Sequence, residues 1–187
     1  MSNAWRIWAS SRRTGGGSPI ASTTHTTLAR SSSGLTNRQE ADRWYHDAFE
    51  DVQKGKSESE AGHDKNAEKR FRRALERGER ALSIDSTYHE AWNLVGYSAR
   101  KLKNYDRAVT AYQRCLKLKP DYAPAREYLG EAYLEMGKLD LAREQLAAID
   151  ALKAPEEART LNGAIETWQK AHPEASTANT PSTSSTP

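Results

Sequence analysis

The sequence predicts an all-α protein, a short right-handed superhelix of about three helical hairpins closed by one further helix. Three observations lead to this class. Apolar residues recur with the 3.6-residue period of amphipathic helices through most of residues 39–171. The stretch 91–120 matches later sequence when it is moved by 34 residues. The last helix-like segment carries a single apolar stripe, as the open end of a stacked array requires.

The composition divides the 187 residues into three parts. The two ends consist largely of Ser, Thr, Gly, Ala and Pro and hold few large apolar side chains, so we predict that both are disordered. The middle holds the side chains that can build a core. The predicted parts are a leader at 1–38, a divergent unit at 39–88, units at 89–122 and 123–154, a capping helix at 155–171 and a tail at 172–187.

The net charge of +3 is unevenly distributed. The leader holds five arginines and no acid, whereas residues 39–171 hold 23 basic and 24 acidic residues, a net charge of −1. A neutral folded part makes a nucleic-acid partner unlikely on electrostatic grounds. One cysteine excludes an intrachain disulfide, and no apolar run is long enough to span a membrane.

The Arg/Ser-rich, acid-free N-terminus is compatible with two interpretations. Its composition fits an organelle transit peptide, and it also fits a plain disordered leader. It lacks the apolar stretch of a secretory signal, so the location in the cell is left open.

The 34-residue repeat is carried by residues at fixed positions. Gly96 aligns with Gly130 and Ala108 with Ala142, small residues that let the two helices of a hairpin approach closely. The other motif positions of the unit are Trp92, Val95, Tyr112 and Pro120. This pattern resembles the tetratricopeptide repeat family over about residues 40–155, and the chain is similar to its small stand-alone bacterial members. The resemblance implies helical hairpins, a concave groove and protein binding.

Local chemistry predicts where several helices begin and end. Thr36-x-x-Gln39 and Thr87-x-x-Glu90 are candidate capping boxes. Gly137 is expected to stop one helix and Pro155 to start the last one. We expect an enlarged loop at about 54–65.

Two tryptophans are expected to pack at unit boundaries. Trp92 should be buried between its own hairpin and the preceding unit. Trp168 should form one stripe with Leu161 and Ile165 on the capping helix, which then covers the last hairpin.

The sequence shows no catalytic or cofactor-binding motif. The Gly-rich stretch 14–18 lacks the Lys and Ser/Thr that grip phosphate, and the pairs His46-Asp47 and His63-Asp64 lack a metal-ligand spacing. We therefore predict no enzyme activity, no cofactor, no metal and no small-molecule substrate. The basic stretch 69–80 has interleaved glutamates, and a solvated, salt-bridged helix face explains it better than a site for RNA or anionic lipid.

The resemblance implies that the first helix of each unit lines the groove. The partner-binding residues expected there are Asn93, Tyr97, Arg100, Glu127, Glu131 and Leu134. This mixture suits an extended or helical peptide segment with a basic residue near an acidic one, although polar groove residues are also simply solvated in many helices. Relatives that hold chaperone C-terminal carboxylates place Asn and several cations in the groove. Here Leu94 stands at the asparagine position and the two glutamates add negative charge, so a co-chaperone role is not expected.

Three functions remain in view. The first is a non-catalytic adaptor or scaffold that binds a partner protein in the groove. The second is a structural subunit of a larger assembly, held by the convex face and the cap with the groove empty. The third, a minor one, is contact with RNA or anionic lipid through residues 69–80.

Overall fold

Residues 36–174 form seven α-helices in the computed structural model, and no strand occurs among them. This confirms the predicted fold class. The transit-peptide interpretation concerns residues outside this range, as does most of the predicted tail. No helix within 36–174 has the length and apolar composition needed to cross a bilayer. The helices are α1 Asn37–Glu60, α2 Asp64–Ile84, α3 His89–Lys101, α4 Tyr105–Leu118, α5 Ala123–Glu135, α6 Leu139–Ala151 and α7 Pro155–Ala171.

Consecutive helices pack as hairpins around one continuous core. The pairs are α1 with α2, α3 with α4 and α5 with α6, and α7 covers both helices of the last pair. Ala74, Ala108 and Ala142, which the 34-residue period aligns, are all completely buried at the crossings. Small residues at these points let neighbouring helix backbones approach closely.

The two repeat glycines make close contacts with different kinds of neighbour. A Cβ built on Gly96 would lie 2.6 Å from the ring of Tyr112, on the partner helix of the same hairpin, as the repeat pattern predicts. A Cβ on Gly130 would lie 2.6 Å from Leu161 of α7. The second glycine therefore makes room for the cap, and the expectation of a close approach to its own hairpin partner is wrong at this point.

The long predicted loop at 54–65 is wrong. Helix α1 continues to Glu60, and only residues 61–63 form the turn, with Gly62 in the left-handed region at φ +76°. Gly55 is buried with its Cβ position 2.8 Å from the ring of Phe71, so packing against α2 holds this part of α1 in a helix. The polar residues that follow read as a loop in sequence because the side they face is solvated.

One of the two predicted capping boxes forms. The Thr36 hydroxyl accepts a hydrogen bond from the Gln39 N–H at 3.3 Å, and Gln39 Oε1 accepts one from the Thr36 N–H at 2.9 Å. Because this cap starts α1 at Asn37, Arg38 belongs to the folded part and not to the leader. Its guanidinium donates to Asp85 Oδ2 at 2.6 Å and lies 3.7 Å from the centre of the Tyr88 ring.

The second capping box, Thr87-x-x-Glu90, does not form. Helix α3 starts at His89 without a side-chain cap. Asp85 captures Thr87 instead, because its Oδ1 accepts from both the Thr87 hydroxyl at 2.6 Å and the Thr87 N–H at 3.0 Å. An acceptor two residues away competes effectively with a helix cap.

The later helix ends follow the predicted signals. Gly137, at φ +73°, follows the end of α5, and Pro155 is the first residue of α7. On α7, Leu161 is fully buried and Ile165 is 4% exposed, while Trp168 is half-buried against the core.

Trp92 is less buried than the repeat pattern predicts. Its ring is partly exposed, and its indole N–H donates to the Ser86 carbonyl oxygen at 2.9 Å. The ring lines a shallow apolar groove with Leu82 and Val95 between α2 and α4. The expectation of a fully buried Trp92 is therefore wrong, because the neighbouring hairpins leave this side of the ring uncovered.

Candidate functional site

The first helices of the hairpins, together with α7, form a groove along one side of the molecule. It consists of two adjoining pockets. The proximal pocket, of about 470 Å³, lies between α1, α3, α5 and the start of α7. The distal pocket, of about 890 Å³, lies at the C-terminal ends of α3, α5 and α7. Both pockets are lined by Arg100, Lys101 and Glu131, which form the boundary between them.

Most residues predicted to line the groove lie in its floor. Glu131 is partly exposed, whereas the other five are nearly inaccessible to solvent. Asn93 does not line either pocket. The structure does bring Tyr97, Arg100 and Glu131 together. The exposed fractions of the buried five are 2% for Asn93, 4% for Tyr97, 4% for Arg100, 0% for Glu127 and 5% for Leu134.

Arg100 joins α3 to α5 at the centre of the groove. Its Nη2 donates to Glu131 Oε2 and its Nη1 to Glu135 Oε1, both at 2.6 Å. Burial by itself would lower the pKa of the guanidinium, but the two carboxylates outweigh burial and raise that pKa. Such a buried, doubly paired cation fixes the relative position of the two helices.

Tyrosine rings surround this ion cluster. The Tyr97 and Tyr128 rings meet edge to face at 5.3 Å, and the Arg100 guanidinium lies 5.4 Å and 5.9 Å from their centres. Burial raises the pKa of Tyr97 to about 12, with Glu131 adding to the effect. The phenol is therefore neutral at physiological pH.

Cys115 packs beneath the groove. It is fully buried against the Asn93 backbone, and burial raises the pKa of its thiol to about 12. A thiol that stays protonated is a poor nucleophile and a poor metal ligand. Within residues 36–174, no group of three or more His, Cys, Asp or Glu side chains is arranged to hold a metal ion.

Several groove residues escape the sequence argument. Those on α1 were assigned to a loop, and those on α7 were assigned only a capping role. Glu135 could have been found, since it stands four residues after Glu131 and shares its helix face. At the far end of the groove, the Trp168 ring stacks on His172 with centres 4.3 Å apart. The residues missed in this way are Gln53, Lys56, Ser57, Glu60, Lys101, Glu135, Thr160, Trp168 and His172.

The basic stretch 69–80 is largely engaged inside the protein. Asp51 of α1, 1% exposed, is surrounded by three arginines of α2. Arg72 pairs with Glu68 at 2.5 Å, as the sequence pattern predicts. The distances to the Asp51 carboxylate are 3.1 Å from Arg70, 3.6 Å from Arg73 and 2.6 Å from Arg77.

Comparison with known proteins identifies the repeat. Two tetratricopeptide repeat family models match residues 52–123 and 99–175, and together they cover about two thirds of the chain. The Caenorhabditis elegans tetratricopeptide repeat-containing protein trd-1 is 32% identical over 77 residues, which are 41% of this chain and 10% of that protein. Xenopus laevis tetratricopeptide repeat protein 37 is 25% identical over 76 residues, 41% of this chain and 5% of that protein. The match thus spans a tenth or less of these relatives.

Solved structures share the architecture at low sequence identity. The Sgt2 TPR domain from Aspergillus fumigatus has a TM-score of 0.56 at 18% identity, over 76% of this chain and 85% of that one. The second TPR domain of human RPAP3, in complex with an HSP70 peptide, has a TM-score of 0.51 at 18% identity, over 67% and 98%. Yersinia enterocolitica SycD, in complex with a peptide of YopD, has a TM-score of 0.50 at 17% identity, over 71% and 95%. The repeat period, the hairpin architecture and the family matches agree that this chain belongs to the tetratricopeptide repeat family.

Proposed function

We propose that the chain is a non-catalytic adaptor whose residues 39–171 bind a segment of a partner protein in the groove. The observation that carries the proposal is the groove itself, open along four helices and built on a floor that Arg100 holds in place. Helices of 13 residues such as α3 and α5 are about 20 Å long, so the groove has the scale of a short peptide segment.

The groups in the floor are suited to recognition more than to catalysis. Arg100, Glu131 and Glu135 neutralise one another, and Tyr97 stays a neutral phenol. A general acid or base needs a pKa near the working pH, which these groups do not offer. The RPAP3 domain and SycD were solved with peptides bound, which supports peptide recognition by this architecture.

A steric block of the groove tests the proposal. Ser57 and Thr160 line the proximal pocket from α1 and α7, so Ser57→Arg with Thr160→Arg narrows it from two walls. Affinity capture on the full chain, followed by mass spectrometry, should show partners that bind the parent and are lost from this variant. Tyr97→Ala and Glu131→Lys are less informative, because Tyr97 is buried and Glu131 holds Arg100, so both would disturb the fold.

The structural-subunit alternative has an observation of its own. The shallow groove of about 500 Å³ between α2 and α4 is lined by Leu82, Trp92, Val95 and Ala111, and it is the apolar side of the second helices. Thr110→Arg, at the edge of this groove, is the matched control. If Thr110→Arg loses the captured partners and the Ser57/Thr160 variant keeps them, the second helices form the interface and the groove proposal is wrong.

Contact with RNA or anionic lipid through residues 69–80 has less support. Three arginines of this stretch are directed at Asp51, and Arg72 is paired with Glu68. Phosphate binding would have to compete with these internal pairs.

A further inference from the structure

We infer that the groove selects a partner segment with an internal acidic side chain, bound by Lys56 and Lys101, next to a large apolar side chain placed against Trp168. This inference rests on the proposed function and names the chemical class of the partner. Three features of the groove carry it: the state of its carboxylates, the state of its lysines and the apolar wall of the distal pocket.

The carboxylates at the centre of the groove are already occupied. Glu131 and Glu135 both accept hydrogen bonds from Arg100 at 2.6 Å. Removing either from the buried guanidinium would leave a charge poorly compensated in a site that is 4% exposed. They are therefore poor candidates for binding a basic partner residue, contrary to the expectation from the sequence.

The lysines at the same place are not occupied. Lys56 of α1 and Lys101 of α3 both line the proximal pocket, and neither forms an ion pair with any residue in 36–174. The Lys101 ammonium lies 5.5 Å from the centre of the Tyr97 ring, which directs it into the groove. Glu60, the remaining carboxylate of the α1 wall, is exposed at the last residue of the helix and pairs with neither lysine.

The electrostatics of Lys101 agree with this assignment. Burial, and then the positive charges of Arg100 and Lys56, lower the pKa of its ammonium despite the nearby Glu131 and Glu135. Lys101 thus has an excess of positive neighbours. A carboxylate brought in by a partner would interact favourably with both lysines at once.

The distal pocket supplies the apolar contact. Leu134, Ala164 and Trp168 line it, and a Cβ added to Gly163 would meet no atom within 4 Å, so the pocket has room for a large side chain. The lysine site lies at the boundary between the two pockets, with space on both sides. A bound chain can therefore continue in both directions, and an internal carboxylate fits without a free C-terminus.

Peptide binding to the full-length chain tests the inference by fluorescence anisotropy. The probes are fluorescein-labelled, C-terminally amidated nonapeptides: GSEELFESG, its basic counterpart GSKKLFKSG, and GSEEGGESG, which lacks the apolar pair. We expect GSEELFESG to bind at least about tenfold more tightly than either of the others, a difference of about 1.4 kcal/mol. Its affinity should fall as the salt concentration rises.

Matched variants locate the interaction. Lys56→Ala with Lys101→Ala should weaken GSEELFESG by about tenfold, whereas Lys117→Ala on the exposed side of α4 should leave it unchanged. Both changes affect exposed or partly exposed side chains, so circular dichroism should report an intact fold. A non-amidated GSEELFESG should bind equally well.

Three results would overturn the inference: no binding of GSEELFESG, stronger binding of the basic peptide, or a requirement for the free C-terminus. Each leaves the proposed function intact if the Ser57/Thr160 block still removes captured partners. If that block also has no effect, the groove proposal itself is wrong.

Discussion

Tyr112 lies against the backbone of Gly96 so closely that a Cβ on Gly96 would be 2.6 Å from the Tyr112 ring. A fully buried aromatic ring next to the crossing point of two helices cannot move aside easily. We predict that Gly96→Ala lowers the free energy of unfolding by about 1–3 kcal/mol, through overpacking. Urea denaturation of the full chain measures this change.

Gly163→Ala is the control for this prediction. Gly163 lies inside α7 with open space at its Cβ position, so alanine adds helix propensity without a clash. It should raise the free energy of unfolding by about 0.5–1 kcal/mol. Equal effects of the two substitutions would mean that α3 and α4 are not in close contact at Gly96.

Arg100→Met should be strongly destabilising. It removes the cation between two carboxylates and leaves Glu131 and Glu135 close to each other at the groove floor. The expected loss is about 3–5 kcal/mol, as for one partner of a buried ion pair. Arg159→Ala, which breaks an exposed pair with Glu156, should change stability by less than about 0.5 kcal/mol. Comparable losses from the two variants in urea melts would show that Arg100 does not hold α3 to α5.

Stability should decline in alkaline solution. An unfolded tyrosine ionises near pH 10, whereas burial raises the pKa of Tyr97 to about 12. The stabilising contribution of the neutral phenol is thus complete below pH 10 and is lost as the pH rises towards 12. At pH 11 the loss from Tyr97 should be about 1 kcal/mol. Tyr97→Phe should therefore show a shallower decline between pH 9 and pH 11 than the parent, and identical slopes would refute the assignment.

Trp92→Ala should have a moderate effect, because the ring is only partly buried and contributes one hydrogen bond, to Ser86. We expect a loss of about 2 kcal/mol. Leu161→Ala, at a fully buried position, should cost more, about 3 kcal/mol. Thermal melts that rank the two variants in the opposite order would place Trp92 deeper in the interface than it lies here.

The last prediction concerns α7. A chain that ends at Lys153 lacks Leu161 and Ile165, which are buried against the last hairpin, and so exposes apolar surface. It should self-associate in light scattering and melt at a lower temperature. A chain that ends at Glu174 keeps all seven helices and should match the parent in both measurements. A monomeric, equally stable chain ending at Lys153 would show that α7 is not a cap.

The local signals in the sequence succeed where the deciding contacts are near in the chain. Thr36 and Gln39 cap a helix three residues apart, Gly137 follows the end of α5, and Pro155 starts α7. They fail where a distant or competing group intervenes. Phe71 of α2 holds Gly55 in α1, and Asp85 takes Thr87 away from its predicted cap.

The candidate site shows the same division. Its location follows from the repeat, because the period of 34 residues assigns Tyr97, Arg100 and Glu131 to first helices. Their availability does not follow, because a sequence position specifies a helix face and says nothing about what the next helix covers. The pairing of Arg100 with two carboxylates of α5 left Lys56 and Lys101 as the groove's uncompensated charges.

By itself, the sequence determined that the chain is a short array of helical hairpins with a final covering helix, because a 3.6-residue apolar period and a 34-residue repeat are properties of neighbouring positions along the chain. Only the tertiary structure decided how far α1 extends, how deeply Trp92 and Arg100 are buried, and which charges remain open in the groove. These depend on contacts between helices that lie tens of residues apart, where the energy of burial and ion pairing is set by the distance between packed side chains and not by their order in the sequence.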